Sequence, residues 1–211
     1  MSTPVAERAD RASARATAKF EARRAELAGS AILTLAETGY ANTSLRDIAQ
    51  NSDFSHGVLH YYFNDKLDLI IYCVRQYKAA CVLKYDVVLE TSTTADEVKS
   101  GFVELLGQTL VEDASFHRLW YDLRAQALFE TGLRKDAVEI DHTLEEMIWR
   151  ILTRYSELSG RAIAVEKPVA YAIFDGLFQR ALLHLFAGDP TTAVSTLRTH
   201  ATTTLDLLLE S

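Results

Sequence analysis

The apolar positions of this chain recur at helical spacing almost from end to end. Phe20, Leu27, Ala31 and Leu35 form one stripe and predict a first helix over about 18–38, with Gly39 as a natural residue to end it. Leu45, Ile48 and Ala49 form the face of a short second helix. Ser44 is a good N-cap for it, and Asp47 three residues on approaches a capping box. Asn51, Ser52 and Asp53 interrupt the pattern with turn residues. Ser55 then caps a third short helix, to which Phe54, Val58, Leu59, Tyr62 and Phe63 give apolar surface. Asn64 or Asp65 ends it and begins a fourth, over about 65–89, with Leu69, Ile70, Tyr72, Cys73, Val74 and Tyr77 mostly inward. After the break at 91–96 come a fifth helix over about 95–112 and a sixth over about 115–130, ended by Thr131 and Gly132. A seventh over about 134–158 closes with Ser159 and Gly160. The eighth starts at Pro168 and ends at Gly188. The ninth opens with Asp189 as cap and Pro190 as first residue, and runs to the end. No stretch alternates with strand period and no repeat is visible, so the expected fold is all-α.

Composition sharpens this picture. The 211 residues are 48% hydrophobic, ample for a core, and only three prolines and nine glycines suit a helical chain. The N-terminus lacks an apolar run, and no stretch approaches the roughly 20 apolar residues of a membrane helix. A soluble cytoplasmic protein with no membrane partner is expected. Cys73 and Cys81 lie on one helix about 12 Å apart, too far for a disulfide, and are expected to be free thiols. The net charge is −7, but up to Asn64 there are seven basic and seven acidic residues, so the rest of the chain carries all of it. The first 24 residues hold six basic groups against three acidic ones. They can be a solvated tail or an arm that touches phosphates or the minor groove.

Two short helices and a tight turn running into a third helix suit insertion of one helix into a DNA major groove. Gly39, Tyr40, Thr43, Ser44, the run Arg46-Asp47-Ile48-Ala49, Ser55, Gly57, Leu59, Tyr62, Phe63, Lys66 and Leu69 carry a resemblance. The segment resembles the DNA-binding domain of TetR-type repressors over about thirty residues. His56, Val58 and His60 stand where that family commonly has Lys, Thr and Tyr. Asp53 stands where it often has Gly, and Asp tolerates the left-handed conformation better than most residues. A weaker resemblance, carried by LWYDLRAQAL, ILTRYSELSG and IFDGLFQRALLHLFAGDP, links about 115–190 to the ligand-binding domain of BetI-type TetR repressors.

The resemblance implies a TetR-type three-helix DNA-binding domain over 19–64, preceded by a flexible basic arm over 1–18. A helical ligand-binding and dimerisation domain over 65–211 follows. The fourth helix is expected to join the two without a flexible linker and to act as the lever between them. It implies that Arg46 points into the major groove, where a bidentate pair with guanine is its natural use, and that Lys66 contacts phosphate. Thr43 and Ser44 sit at a helix N-terminus, which favours a phosphate. On the third helix Ser55, His56, Val58, His60 and Tyr61 face away from the apolar side. Gly57 allows the backbone close to DNA, and Val58 offers only apolar contact, for instance to a thymine methyl.

His56 and His60 are spaced to grip a metal from one helix turn, but no third ligand is evident nearby, so no metal and no cofactor is expected. The chain has no G-x-S-x-G, no Gly-rich phosphate loop, no H-E-x-x-H and no Cys-x-x-Cys, and is not expected to be an enzyme. The aromatic and polar residues Phe102, Leu106, His117, Trp120, Tyr121, Arg124, Trp149, Phe174 and Phe178 can be a packed core or the wall of a small-molecule cavity. Aromatic rings with acidic neighbours such as Asp175 suit an organic cation, whereas Arg124 suits a carboxylate; the sequence leaves both open. Val194, Leu197, Ala201, Leu205 and Leu208 on the ninth helix, with Phe174, Leu177, Ala181 and Leu185 on the eighth, form stripes expected to meet their copies in a two-fold four-helix bundle. A homodimer on palindromic double-stranded operator DNA, acting as a transcriptional repressor released by a small effector, is the leading expectation. A ligand-independent DNA-binding regulator and a helical protein-interaction adaptor are the alternatives.

Overall fold

The computed structural model describes residues 4–39 and 43–210, and of residues 4–13 the backbone alone. Nine helices account for most of the described residues: α1 Pro4–Thr38, α2 Leu45–Gln50, α3 His56–Tyr62, α4 Lys66–Thr91, α5 Ala95–Glu112, α6 Ala114–Gln126, α7 Thr131–Ser159, α8 Lys167–Phe186 and α9 Pro190–Leu207. The chain divides into two compact units, residues 1–76 and 77–211. The division falls inside α4, later than the expected 64/65. The reason is that the first turns of α4 belong to the core of the first unit. Leu69, Ile70, Cys73 and Val74 are buried there. Asp68 pairs with Arg24 of α1 at 2.8 Å, and the Cys73 thiol donates to the Ala28 carbonyl at 3.4 Å.

In the first unit, α1 begins at Pro4 and not near residue 18. The stretch VAERADRASARATAK is rich in Ala and Arg, strong helix formers, and proline is at home in a first turn. The expected flexible arm is therefore helical backbone from residue 4; the side chains of Arg8 and Arg11 lie outside the described residues, as does Tyr40. Leu27, Ala31 and Leu35 are fully buried. Gly39 takes φ 79° and closes α1 through its N–H to the Leu35 carbonyl. Ser44 and Asp47 form the full capping box of α2. Ser55 accepts from the Val58 N–H to cap α3, and Asp65 accepts from the Asp68 N–H to start α4. Among the described residues no residue other than glycine has positive φ. The turn holding Asp53 therefore does without the left-handed conformation; the Ser52 hydroxyl instead links the Ala49 carbonyl to the Phe54 N–H. Arg24 stacks its guanidinium on the Phe63 and Tyr72 rings at 4.8 and 4.5 Å, tying α1 to α4.

In the second unit α5 packs against α6, α7, α8 and α9, while α8 and α9 lie side by side. Thr94 and Glu97 form a capping box at α5. The sixth helix ends at Gln126, short of the expected 130, and Thr131 and Gly132 open α7 where they were expected to end α6. The turn between them is held by Arg134, which donates to the carbonyls of Ala127 and Leu128. Gly160 ends α7 at φ 68°. Asp189 caps α9 through the Thr192 N–H. The chain end is tied back by an antiparallel bridge between Ile163 and Leu209. Asp206 accepts from Lys99 of α5 and Tyr155 of α7, locking three helices together. Cys73 and Cys81 are buried free thiols, as expected.

Candidate functional site

In the first unit the outer surface of α2 and α3 is polar and solvent-facing. Arg46, Ser55, His56, Gly57 and His60 are exposed, and Tyr61 is 73% exposed. The His56 and His60 rings meet edge to face at 4.4 Å. A β-carbon at Gly57 would meet only the Ser55 hydroxyl, at 4.0 Å, so nothing within the chain demands a glycine there. Lys66 opens α4 half-buried, and Val58 is half-buried. Three expected contacts are otherwise engaged. Thr43 is 3% exposed and its hydroxyl donates to the Gly39 carbonyl at 2.7 Å and meets Thr38. Thr43 thus fastens the end of α1 through its hydroxyl. The hydroxyls of Ser44 and Ser55 accept from backbone N–H groups as caps, although both residues are exposed. Among the described residues no group of three or more His, Cys, Asp or Glu could hold a metal ion, and no helix is long and apolar enough to cross a membrane.

In the second unit, α4, α5, α6, α7 and α8 surround a cavity of about 60 Å³. Of the expected lining, Leu106, His117, Trp120, Tyr121, Phe174 and Phe178 are there. Phe102, Arg124 and Trp149 are not. Phe102 is fully buried behind the wall, edge-on to Phe174 at 5.3 Å. Arg124 holds Asp175 at 2.6 Å. Trp149 follows Ile148 by one position, about 100° round the helix, and so leaves the cavity face. Lys78, Cys81 and Tyr85 of α4, Leu144, Met147 and Ile148 of α7, and Tyr171 and Asp175 of α8 complete the lining.

The cavity is apolar with one polar band. Lys78 is 4% exposed, and its ammonium donates to His117 Nδ1 at 3.1 Å. That bond places the histidine proton on Nε2, which faces the Tyr77 hydroxyl at 3.3 Å. Burial, then the positive charges of Lys78 and Lys84, hold His117 well below the usual histidine range, so it is neutral. Burial also lowers Lys78 to about 8. Asp175 accepts from Arg124 and from Tyr121, the latter at 3.0 Å. Burial first, then the Asp175 charge, raises the Tyr121 hydroxyl. The indole N–H of Trp120 is buried and has no hydrogen-bond partner among the described residues.

The expected dimer stripe is mostly interior. Phe174, Ala181, Leu197, Ala201, Leu205 and Leu208 are buried within the single chain, between α5, α8 and α9. Leu177, Leu185 and Val194 are half-buried. The regular spacing of these residues marks a face packed largely within one chain. The apolar residues that α8 leaves in solvent are instead Val169, Ile173, Leu183 and Phe186.

A helix-turn-helix unit with a polar outer face, followed by a helical unit with a cavity, defines a helical DNA-binding regulator of two units. Residues 29–73 match the model of the bacterial regulatory proteins of the tetR family, and residues 96–206 match the C-terminal domain of the BetI-type transcriptional repressor. The chain belongs to the TetR family of transcriptional regulators. The HTH-type transcriptional regulator BetI of Paraburkholderia phymatum is 25% identical over 200 residues, covering 90% of this chain and 94% of its own. That of Paraburkholderia xenovorans is 42% identical over 50 residues, covering 24% of this chain and 26% of its own. A transcriptional regulator from Saccharomonospora viridis, solved in complex with choline, superimposes with a TM-score of 0.74 at 18% identity, over 90% of this chain and all of that one.

Proposed function

We propose that this TetR-family regulator is a homodimeric repressor that leaves palindromic operator DNA when a small molecule fills the cavity of the second unit. What carries the reading is the cavity itself. Its walls are aromatic and aliphatic, yet it holds a buried lysine with no carboxylate partner and a buried indole N–H with no acceptor among the described residues. A packed structural core would have no use for either. On the first unit, Arg46, His56, His60 and Tyr61 are the groups available to bases and phosphates, with Gly57 giving close backbone approach. The repressor sense, the cytoplasmic location and the dimer are taken over from the family.

An effector displaces DNA only if it binds two conformations unequally. α4 contributes residues to both units, from Lys66 to Lys78 and beyond, and we assign it the coupling. The test is selection of bound sequences from a random DNA pool, followed by fluorescence anisotropy on the selected site. A palindrome is expected, and cavity ligands are expected to lower its affinity. Enrichment of no sequence would leave the adaptor reading in its place. A second reading, a choline-like cation as effector, is favoured by the rings of Trp120, Tyr121, Tyr171 and Phe174 around the cavity and by the choline bound to the Saccharomonospora viridis regulator.

A further inference from the structure

We infer that the cavity receives a small apolar monocarboxylate, whose oxygen atoms accept from the Lys78 ammonium and the Trp120 indole N–H. The inference rests on reading the cavity as the effector site. A buried charge without a counter-charge and an unpaired donor in the same wall carry it. The first is a buried positive charge. Lys78 hydrogen-bonds to neutral His117 and lies 5.6 Å from the ring centres of both Tyr77 and Trp120, but among the described residues it pairs with no carboxylate. The nearest acids are committed elsewhere: Asp175 to Arg124, and Asp113 to Lys84 at 2.7 Å. A buried ammonium without a counter-charge is costly, and natural proteins rarely keep one idle. The second is the Trp120 N–H, buried and without an acceptor. Indole N–H groups in cores almost always find one.

One missing group satisfies both: an acceptor that carries negative charge. A neutral acceptor would serve the indole and leave the ammonium uncompensated. A cation would suit the aromatic rings but would meet Lys78, with the one carboxylate in the lining, Asp175, already neutralised by Arg124. Leu106, Leu144, Ile148 and Phe178 give the lining an apolar stretch that dictates the body of the ligand. The volume of about 60 Å³ favours a short aliphatic body, and a ring would require the lining to yield, with Met147 as the side chain best able to do so. Burial lowers Lys78 to about 8, and a bound carboxylate would raise it again.

The test is isothermal titration calorimetry of the full chain with straight carboxylates from acetate to octanoate, isovalerate and benzoate. Choline serves as the cationic probe and benzyl alcohol as the neutral one. At least one carboxylate is expected to bind tenfold or more tightly than either. Lys78→Met and Trp120→Phe, each checked by thermal melting, are expected to weaken it at least tenfold. At pH 8.5, titrations in buffers of different ionisation enthalpy are expected to show proton uptake for the wild type and none for Lys78→Met. A carboxylate bound equally well by Lys78→Met overturns the inference. Binding of choline with no carboxylate binding overturns it while leaving an effector cavity in place. If no probe binds although the chain still selects its DNA, the inference and the effector reading fall together.

Discussion

Lys78 is the residue at which chemistry and stability oppose each other. Its pKa falls from an ordinary 10.5 to about 8 in the folded chain. Between those values the unfolded chain binds more protons, so stability rises with pH across the window. Below it the folded state carries the cost of a buried charge, about 3 kcal/mol. The groups facing the ammonium are Tyr77 and Cys81 from α4, His117 and Arg124 from α6, Asp113 before α6, and Asp175 from α8. Burial raises the nearby tyrosines Tyr77, Tyr85, Tyr121 and Tyr171, so their effect enters only above pH 10 and with the opposite sign. His117, lowered by burial, acts only below about pH 6.5, where stability falls as the unfolded chain takes up a proton. Burial also raises the Cys73 and Cys81 thiols, so stability falls over the same window as the unfolded thiols ionise. The lysine is therefore read as a difference: urea midpoints of Lys78→Met should exceed those of the ligand-free wild type at pH 7.5, and the gap should narrow by pH 9.5. A gap that does not change with pH would show that Lys78 is not charged in the fold. This residue was legible in the sequence. Val74, Lys78, Cys81 and Tyr85 recur at steps of four, three and four, so the lysine sits in an apolar stripe. The aromatic residues of α6 and α8 drew attention away from it. The unpaired Trp120 N–H, by contrast, depends on which distant acceptors the fold brings near, and no local pattern encodes that.

At the scale of elements, the helices followed from apolar spacing and caps, because both are local. Ser44, Ser55, Asp189 and Gly160 end or begin helices where expected. The α6–α7 boundary fell elsewhere because a side chain beyond it sets the turn. Thr131 and Gly132 look like a stop, but the chain turns earlier, where Arg134 collects the carbonyls at the end of α6. On the recognition surface, α3 offers a clean separation of fold from function. Gly57 lies in a helix with open space where a side chain would start. Gly57→Ala should raise stability by about 0.5–1 kcal/mol, the usual difference in helix propensity. If the α3 backbone approaches DNA closely, the same change should weaken operator binding severalfold. Unchanged affinity by anisotropy, with raised thermal stability, would remove Gly57 from the DNA-binding surface. On α2, Arg46→Ala is expected to cost about 1–3 kcal/mol on the selected operator and to relax preference at one base pair. A uniform loss on all sequences would make Arg46 a phosphate contact.

At the scale of the whole molecule, the question is what pairs two chains. The regular stripe of α9 was the obvious candidate, yet Leu197, Ala201 and Leu205 are at most 2% exposed within one chain. Spacing reports that a helix has a buried face and is silent on whose surface buries it. The helix with apolar residues on more than one side is α8. Its inner side faces the cavity and α9, while Ile173 is 38% and Leu183 71% exposed on its outer side. Val169, Ile173, Gly176, Arg180 and Leu183 follow one another at steps of four, three, four and three, a continuous outer stripe, and Gly176 leaves room for close approach. A two-fold axis through that stripe would bury it against its own copy. The two helices then predict different outcomes for the same substitution. Leu183→Asp should leave the chain folded, give a monomer by sedimentation, and cut operator affinity steeply, because one recognition helix buries too little to be specific and two must engage half-sites about 34–36 Å apart. Leu197→Asp should instead lower the stability of the chain itself, since it places an unpaired charge in the core. A Leu183→Asp chain that still sediments as a dimer would move the interface off α8. A wild-type monomer that binds a palindrome tightly would remove the dimer altogether.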